Sequence, residues 1–213
     1  MTYFKVLNAD RSAAHGGTGK WKPRGWMPTI PDPVPCQRGY HLCRENDLVF
    51  WLGETIWEAE PGDIIIEHGT VADGDSKVVT EKARLLRRLP WDERTARLFA
   101  ADCAEHVAKY ANPATQKIIR ATLEVVRRYA DEQATEDELN AARAAAWAAR
   151  TAGDAARIAG DAARAAWIAG DAARAAARAA WIAGDAARAA ARAAARDAEY
   201  CWQARRLMTY LYP

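Results

Sequence analysis

The chain has 213 residues and a formal net charge of +2, and half of its residues count as hydrophobic. Fifty of these are alanine, whereas Leu, Ile, Val and Phe together number 34; nine Trp and seven Tyr supply the bulky apolar surface that a disordered chain lacks. No charge-free apolar run of about 18 residues exists, which excludes a transmembrane helix. The start, Met1 to Lys5, has no secretory pattern, so the expectation is a cytoplasmic protein whose four cysteines remain thiols.

Residues 1–90 read as a small α+β domain built on a mixed sheet. Tyr3 to Leu7 is an apolar strand ended by Asn8-Ala9-Asp10. A Gly/Pro-rich stretch follows, with His15-Gly16-Gly17-Thr18-Gly19 and five prolines between Pro23 and Pro35. Proline removes backbone donors and keeps its predecessor out of the helical region, so this stretch is an irregular loop. Gly39 to Cys43 reads as a second strand, Glu45 to Leu52 as a short helix and Thr55 to Glu60 as a third strand. Ile64-Ile65-Ile66 and the run Lys77 to Leu89 add β-like segments around the turn Asp73-Gly74-Asp75-Ser76.

Residues 91–213 read as an all-α, Ala-rich bundle or repeat array. Trp91 to Tyr110 places Thr95, Phe99, Cys103, His106 and Tyr110 on one helical face. Asn112-Pro113 is a cap followed by proline at a first helical position, and Ile118, Thr122, Val125 and Tyr129 line the helix it starts. Thr135 to Glu138 fits a capping box. From 141 to 200, 33 of 60 residues are alanine, and AAWIAGDAARAAAR at 165–178 recurs unchanged at 179–192. A 14-residue period is nearly four helical turns, so this is a helical repeat. Gly153, Gly170 and Gly184 offer breaks for a folded-back bundle; one long helix is the alternative. Glu199 to Tyr212 regains core residues and is expected to dock and close the core.

Candidate chemistry is sparse. Cys36, His41 and Cys43, with Cys103 and His106 three apart on a helix, are weak zinc ligand candidates, because paired CxxC or HxxxH knuckles are missing. The expectation is no metal and no cofactor. Asp102, Glu105 and His106 surround Cys103, but buried-thiol packing explains them. The glycine-rich loop lacks a GK[ST] ending, and no GxSxG or HExxH pattern occurs. His15-Gly16 followed by Thr18, after a first strand, resembles ADP-ribosyltransferase folds; with Tyr40 and Glu58 or Glu60 it implies an H-Y-E set.

Two longer stretches carry a further resemblance. Trp91 to His106 (WDERTARLFAADCAEH), the Ala/Trp-rich repeats and Trp202 to Leu207 resemble the C-terminal region of immunity proteins of bacterial polymorphic-toxin systems. Cys36 to Cys43 (CQRGYHLC), Glu58-Ala59-Glu60 and Asp75 to Val79 look like an uncharacterised domain of bacterial and phage proteins. The resemblance implies inhibition by binding, with a toxin or defence component as protein partner and no catalytic residues. The expected function is therefore a non-enzymatic binding protein of a bacterial or phage conflict system. Trp21 and Trp26 on the Pro-rich loop, then Trp147, Trp167 and Trp181 in the repeats, are the candidate contacts. One alternative is a nucleotide or ADP-ribosyl-processing enzyme using the N-terminal domain. The other is nucleic-acid binding through the arginines of the repeats, disfavoured because a charge of +5 over residues 141–213 is a thin field.

Overall fold

In a computed structural model, residues 1–17, 19–71, 74–109, 113–142, 144–145 and 197–213 are described. The 14-residue repeats, Asn112, Trp147, Trp167 and Trp181 lie outside them. Two compact units are present, Met1–Phe99 with Arg196–Pro213, and Ala100–Ala195.

The first unit holds six strands: β1 Tyr3–Leu7, β2 Tyr40–Leu42, β3 Thr55–Pro61, β4 Ile65–His68, β5 Lys77–Thr80 and β6 Ala83–Arg88. They form two three-stranded sheets, ordered β1-β3-β6 and β2-β5-β4, and every pairing is antiparallel. This corrects the single mixed sheet. The run Lys77 to Leu89 is not one segment: the chain leaves the second sheet at Thr80 and enters the first at Ala83. The polar corner is the physical reason. Glu81 is buried, and its carboxylate accepts the backbone N–H groups of Asp63 and Ile64, each at 3.0 Å, and the Thr80 hydroxyl at 2.9 Å. It thereby ties the β5–β6 corner to the β3–β4 corner, which changes sheets in the opposite sense.

Leu7, Ala59, Ala83 and Leu85 of the first sheet form one core cluster with Leu42 and Val78 of the second. Fully burying a leucine contributes about 1.5–3 kcal/mol. Phe4 and Cys43 exchange backbone hydrogen bonds at 2.8 and 2.9 Å, which stitches β1 to the end of β2. The expected helix over Glu45 to Leu52 is reduced to a single 3-10 turn, Leu48–Phe50. The other face of β1 and β3 carries Phe4, Val6 and Ile56, all buried.

Among the described residues the helical part comprises four helices: α1 Glu93–Ala108, α2 Pro113–Ala130, α3 over 136–142 and α4 over 197–211. The expected large all-α bundle or repeat array is thereby corrected. The reason shows in α4, whose bulky residues bury in the first unit: Leu207 and Leu211 are almost wholly buried, and Tyr200 and Tyr210 meet Phe50 and Phe99 edge-on. The closing docking expected of Glu199 to Tyr212 is thus present. Asp92 caps α1 by accepting the Thr95 N–H at 2.7 Å.

In the second unit, α2 begins at Pro113, and Leu123 and Ala130 are its buried residues, whereas Ile118, Thr122, Val125 and Tyr129 are half-buried. The capping box of α3 is formed: Thr135 N–H donates to Glu138 at 2.7 Å, and Glu138 N–H donates to the Thr135 hydroxyl at 3.2 Å. Arg127 bridges Asp102 and Glu105 at 2.9 and 2.6 Å. No helix among the described residues is long and apolar enough to cross a membrane.

Candidate functional site

The Pro-rich stretch is irregular but anchored. Met27 N–H donates to Ala83 at 2.8 Å and Ile30 N–H to Glu81 at 2.7 Å, so residues 26–30 run along the outer edge of β6. Alternation then sends neighbouring side chains in opposite directions. Met27 joins the core cluster, while Trp26 pairs across from Arg84 and is 37% exposed.

Trp26 is ringed by cations. The Arg84 guanidinium lies 4.9 Å and the Lys82 ammonium 5.2 Å from its ring. Arg84 is held by Glu60 at 2.6 Å, and Lys82 lies 3.8 Å from Asp63. Asp63 leads into Ile64 and Ile65, 46% and 40% exposed, where β4 forms the edge of its sheet. Trp26, Lys82 and Arg84 thus form one exposed cluster, and the Lys82–Asp63 pair leads from it to the exposed Ile64 and Ile65. Glu81 beneath it fixes the corner. Burial pushes its carboxyl up, but the hydrogen bonds from Thr80, Asp63 and Ile64 outweigh that and hold it below the ordinary value.

Trp21, the other loop candidate, is only 4% exposed. Its ring meets Tyr40 edge-on at 5.3 Å and lies beneath the Lys5 ammonium at 5.1 Å, so it is a core residue with no face for a partner. Burial lowers Lys5 to about 8, and its Nζ donates to the His41 carbonyl at 3.0 Å.

The H-Y-E residues are not brought together. His15 Nε2 meets the Trp51 carbonyl at 2.7 Å, and the Tyr40 hydroxyl donates to Pro28 at 2.7 Å. Glu58 and Glu60 pair with Arg87 and Arg84 across β3 and β6, while Tyr40 packs against the core cluster on the opposite side of that sheet. Among the described residues, one open cleft of about 320 Å³ lies beside Tyr3, Glu58 and Leu86 and another of about 330 Å³ beside Asn46, Tyr200 and Cys201; His15 and Tyr40 line neither of these.

The zinc ligand candidates are divided. Cys103 and His106 belong to the second unit. Cys43 is buried beside Lys5, and burial pushes its thiol up to about 12. Cys36 is exposed, and its N–H donates to His41 Nε2 at 2.9 Å. Burial, then the nearby Lys5 and Lys77, lower His41. Among the described residues, no group of three or more Cys, His, Asp or Glu is arranged to hold a metal ion.

Sequence reading missed His68 and Asp75. The Cys36 thiol lies 3.4 Å from His68 Nε2, and that nitrogen lies 3.2 Å from Asp75 Oδ2. Asp75 also pairs with Lys77, whose ammonium lies 4.6 Å from the Trp51 ring. The hydrogen bond from Lys77 is the main reason the Asp75 carboxyl is held below its ordinary value. The available signal was alternation: His68 faces Lys77 across β4 and β5, on the side that carries His41. The chain matches no protein-family model, no curated protein and no solved structure.

Proposed function

We propose that the chain is a non-enzymatic binding protein that masks a partner protein, acting as an immunity protein or other inhibitor in a bacterial or phage conflict system. The observation that carries the binding role is the exposed Trp26 with Lys82 and Arg84 over its ring, linked through the Lys82–Asp63 pair to the exposed Ile64 and to Ile65 at the start of the edge strand β4. Tryptophan and arginine dominate interface hot spots because a large rigid ring gives much buried area at low entropic cost, and a guanidinium can stack as well as pair. An edge strand further offers its outer backbone groups to another chain. The masking role rests on the resemblance of Trp91 to His106 to immunity proteins, and the partner is accordingly a toxin or defence component.

The test begins with the full chain as bait in an extract of its source, followed by titration of the captured protein in purified form. Burying the exposed part of Trp26 is worth on the order of 2 kcal/mol, so Trp26→Ala is expected to weaken binding about 30-fold. Ile65→Asp is expected to weaken it at least as much. Failure to capture a specific protein, or equal affinity for wild type and both variants, sinks the proposal.

A further inference from the structure

We propose that Cys36 is a redox-modification site, whose thiol, assisted by His68, exchanges with a low-molecular-weight disulfide and retains half of it as a mixed disulfide. This goes beyond partner binding and does not depend on it. Cys36 meets two side chains distant from it in the chain: Cys36 Sγ and Asp75 Oδ2 lie 3.4 and 3.2 Å from the same nitrogen, Nε2 of His68. Asp75 favours the tautomer with the proton on Nε2, which donates to the carboxylate; in the other tautomer, with the proton on Nδ1, that nitrogen turns its lone pair to the thiol. A proton passing from Sγ to Nε2 leaves a thiolate beside an imidazolium, and the Asp75 carboxylate stabilises the imidazolium. Lys77 pairs with the same carboxylate and keeps it from being an isolated charge against the thiolate. Since the thiolate is the nucleophile in exchange, a neighbouring base on an exposed cysteine is the arrangement the chemistry needs.

The backbone adds a separate observation. Cys36 follows Pro35 at the tip of a tight turn closed by Gln37 N–H to the Val34 carbonyl at 3.1 Å, and its φ is +62°. A turn with proline at its second position and positive φ at its third favours glycine there, because a Cβ crowds the backbone. Turn stability alone therefore does not account for a cysteine at this position.

The step balances. The Cys36 thiolate attacks one sulfur of the disulfide, the new sulfur–sulfur bond forms as the old one breaks, and the departing thiolate takes the proton from the His68 imidazolium. One disulfide and one thiol are consumed, and one mixed disulfide and one thiol are produced.

The experiment uses the full native chain at pH 7 with glutathione disulfide as probe and peptide mass spectrometry as readout. Cys201, which is also exposed, is the internal reference. Cys36 is expected to react about ten times faster than Cys201. His68→Ala should reduce that rate to the Cys201 level, and added imidazole should restore part of it, which a merely structural role of His68 would not do. Asp75→Asn should slow the reaction and Asp75→Glu should preserve it. Equal rates at Cys36 and Cys201 in the wild type overturn the proposal without recourse to any variant. An unchanged Cys36 rate in His68→Ala, or in His68→Gln should the first variant not fold, overturns it as well.

Discussion

Replacing Glu81 by alanine removes the acceptor of two backbone N–H groups, those of Asp63 and Ile64, and one of the two acceptors near the Thr80 hydroxyl, which retains the Lys82 carbonyl at 3.1 Å. Hydrogen bonds to a charged acceptor contribute about 1.5–3 kcal/mol when buried. Ile64 is 46% exposed, so water reaches part of this corner and the lower value applies. The expected loss is about 2–3 kcal/mol. With a urea slope near 1.5–2 kcal/mol/M for a unit of this size, the midpoint should fall by about 1.5 M, measured by tryptophan fluorescence. Glu60→Ala, which removes only an exposed pair with Arg84, is the control and should cost below about 1 kcal/mol. Acid titration supplies a second reading. The folded carboxyl is held below its ordinary 4.5, so its contribution is complete above pH 4.5 and is lost as pH falls through the folded value. The wild-type and Glu81→Ala stability curves should therefore converge as pH falls through that folded value. A midpoint shift no larger than that of Glu60→Ala would refute the clamp.

Two other substitutions probe local geometry. Gly39 has φ of +121°, and a Cβ there would lie 2.6 Å from Val79 Cγ2 and 3.1 Å from the Thr80 carbonyl oxygen. Because Val79 is fully buried and cannot give way, Gly39→Ala should destabilise by at least about 2 kcal/mol; an unchanged urea midpoint would contradict this. Thr135→Ala removes the hydroxyl that accepts the Glu138 N–H, and about 1 kcal/mol of α3 stability should go with it. Faster amide exchange at Glu138 is the measurement, and unaltered protection there would deny the capping box its role.

Local patterns were legible where one face of one element decided the outcome. β1 runs from Tyr3 to Leu7 as its apolar run predicts, and the capping box at Thr135 needs only four residues of context. The change of sheet at Glu81 was not legible, because a buried glutamate between two β-like runs looks the same as an exposed one until the opposite corner supplies Asp63 and Ile64. Trp21 and Trp26 are equivalent in the sequence. One faces the core and the other solvent because Met27 and Ile30 bond to the β6 edge, and that register is a long-range fact. His68 and Asp75 stand 32 and 39 positions beyond Cys36, so only strand pairing brings them to it.

Lys5 has a use beyond its role in the core. Its amine gives up its proton near pH 8, whereas in the unfolded chain it holds it to 10.5; Cys43 keeps its own from 9 up to about 12. As pH rises from 8 the folded state first gains stability from Lys5, and from about 9 Cys43 begins to oppose that gain. Near pH 8 a substantial share of Lys5 is an uncharged nucleophile, partly covered by the Trp21 ring and bonded to the His41 carbonyl. Lys5 is half-buried, so an acylating reagent reaches it without parting β1 and β2, but more slowly than it reaches the exposed Lys20. Its acylation near pH 8 therefore reports two opposed properties of one amine, a lowered proton affinity that favours reaction and partial cover by the Trp21 ring that slows it.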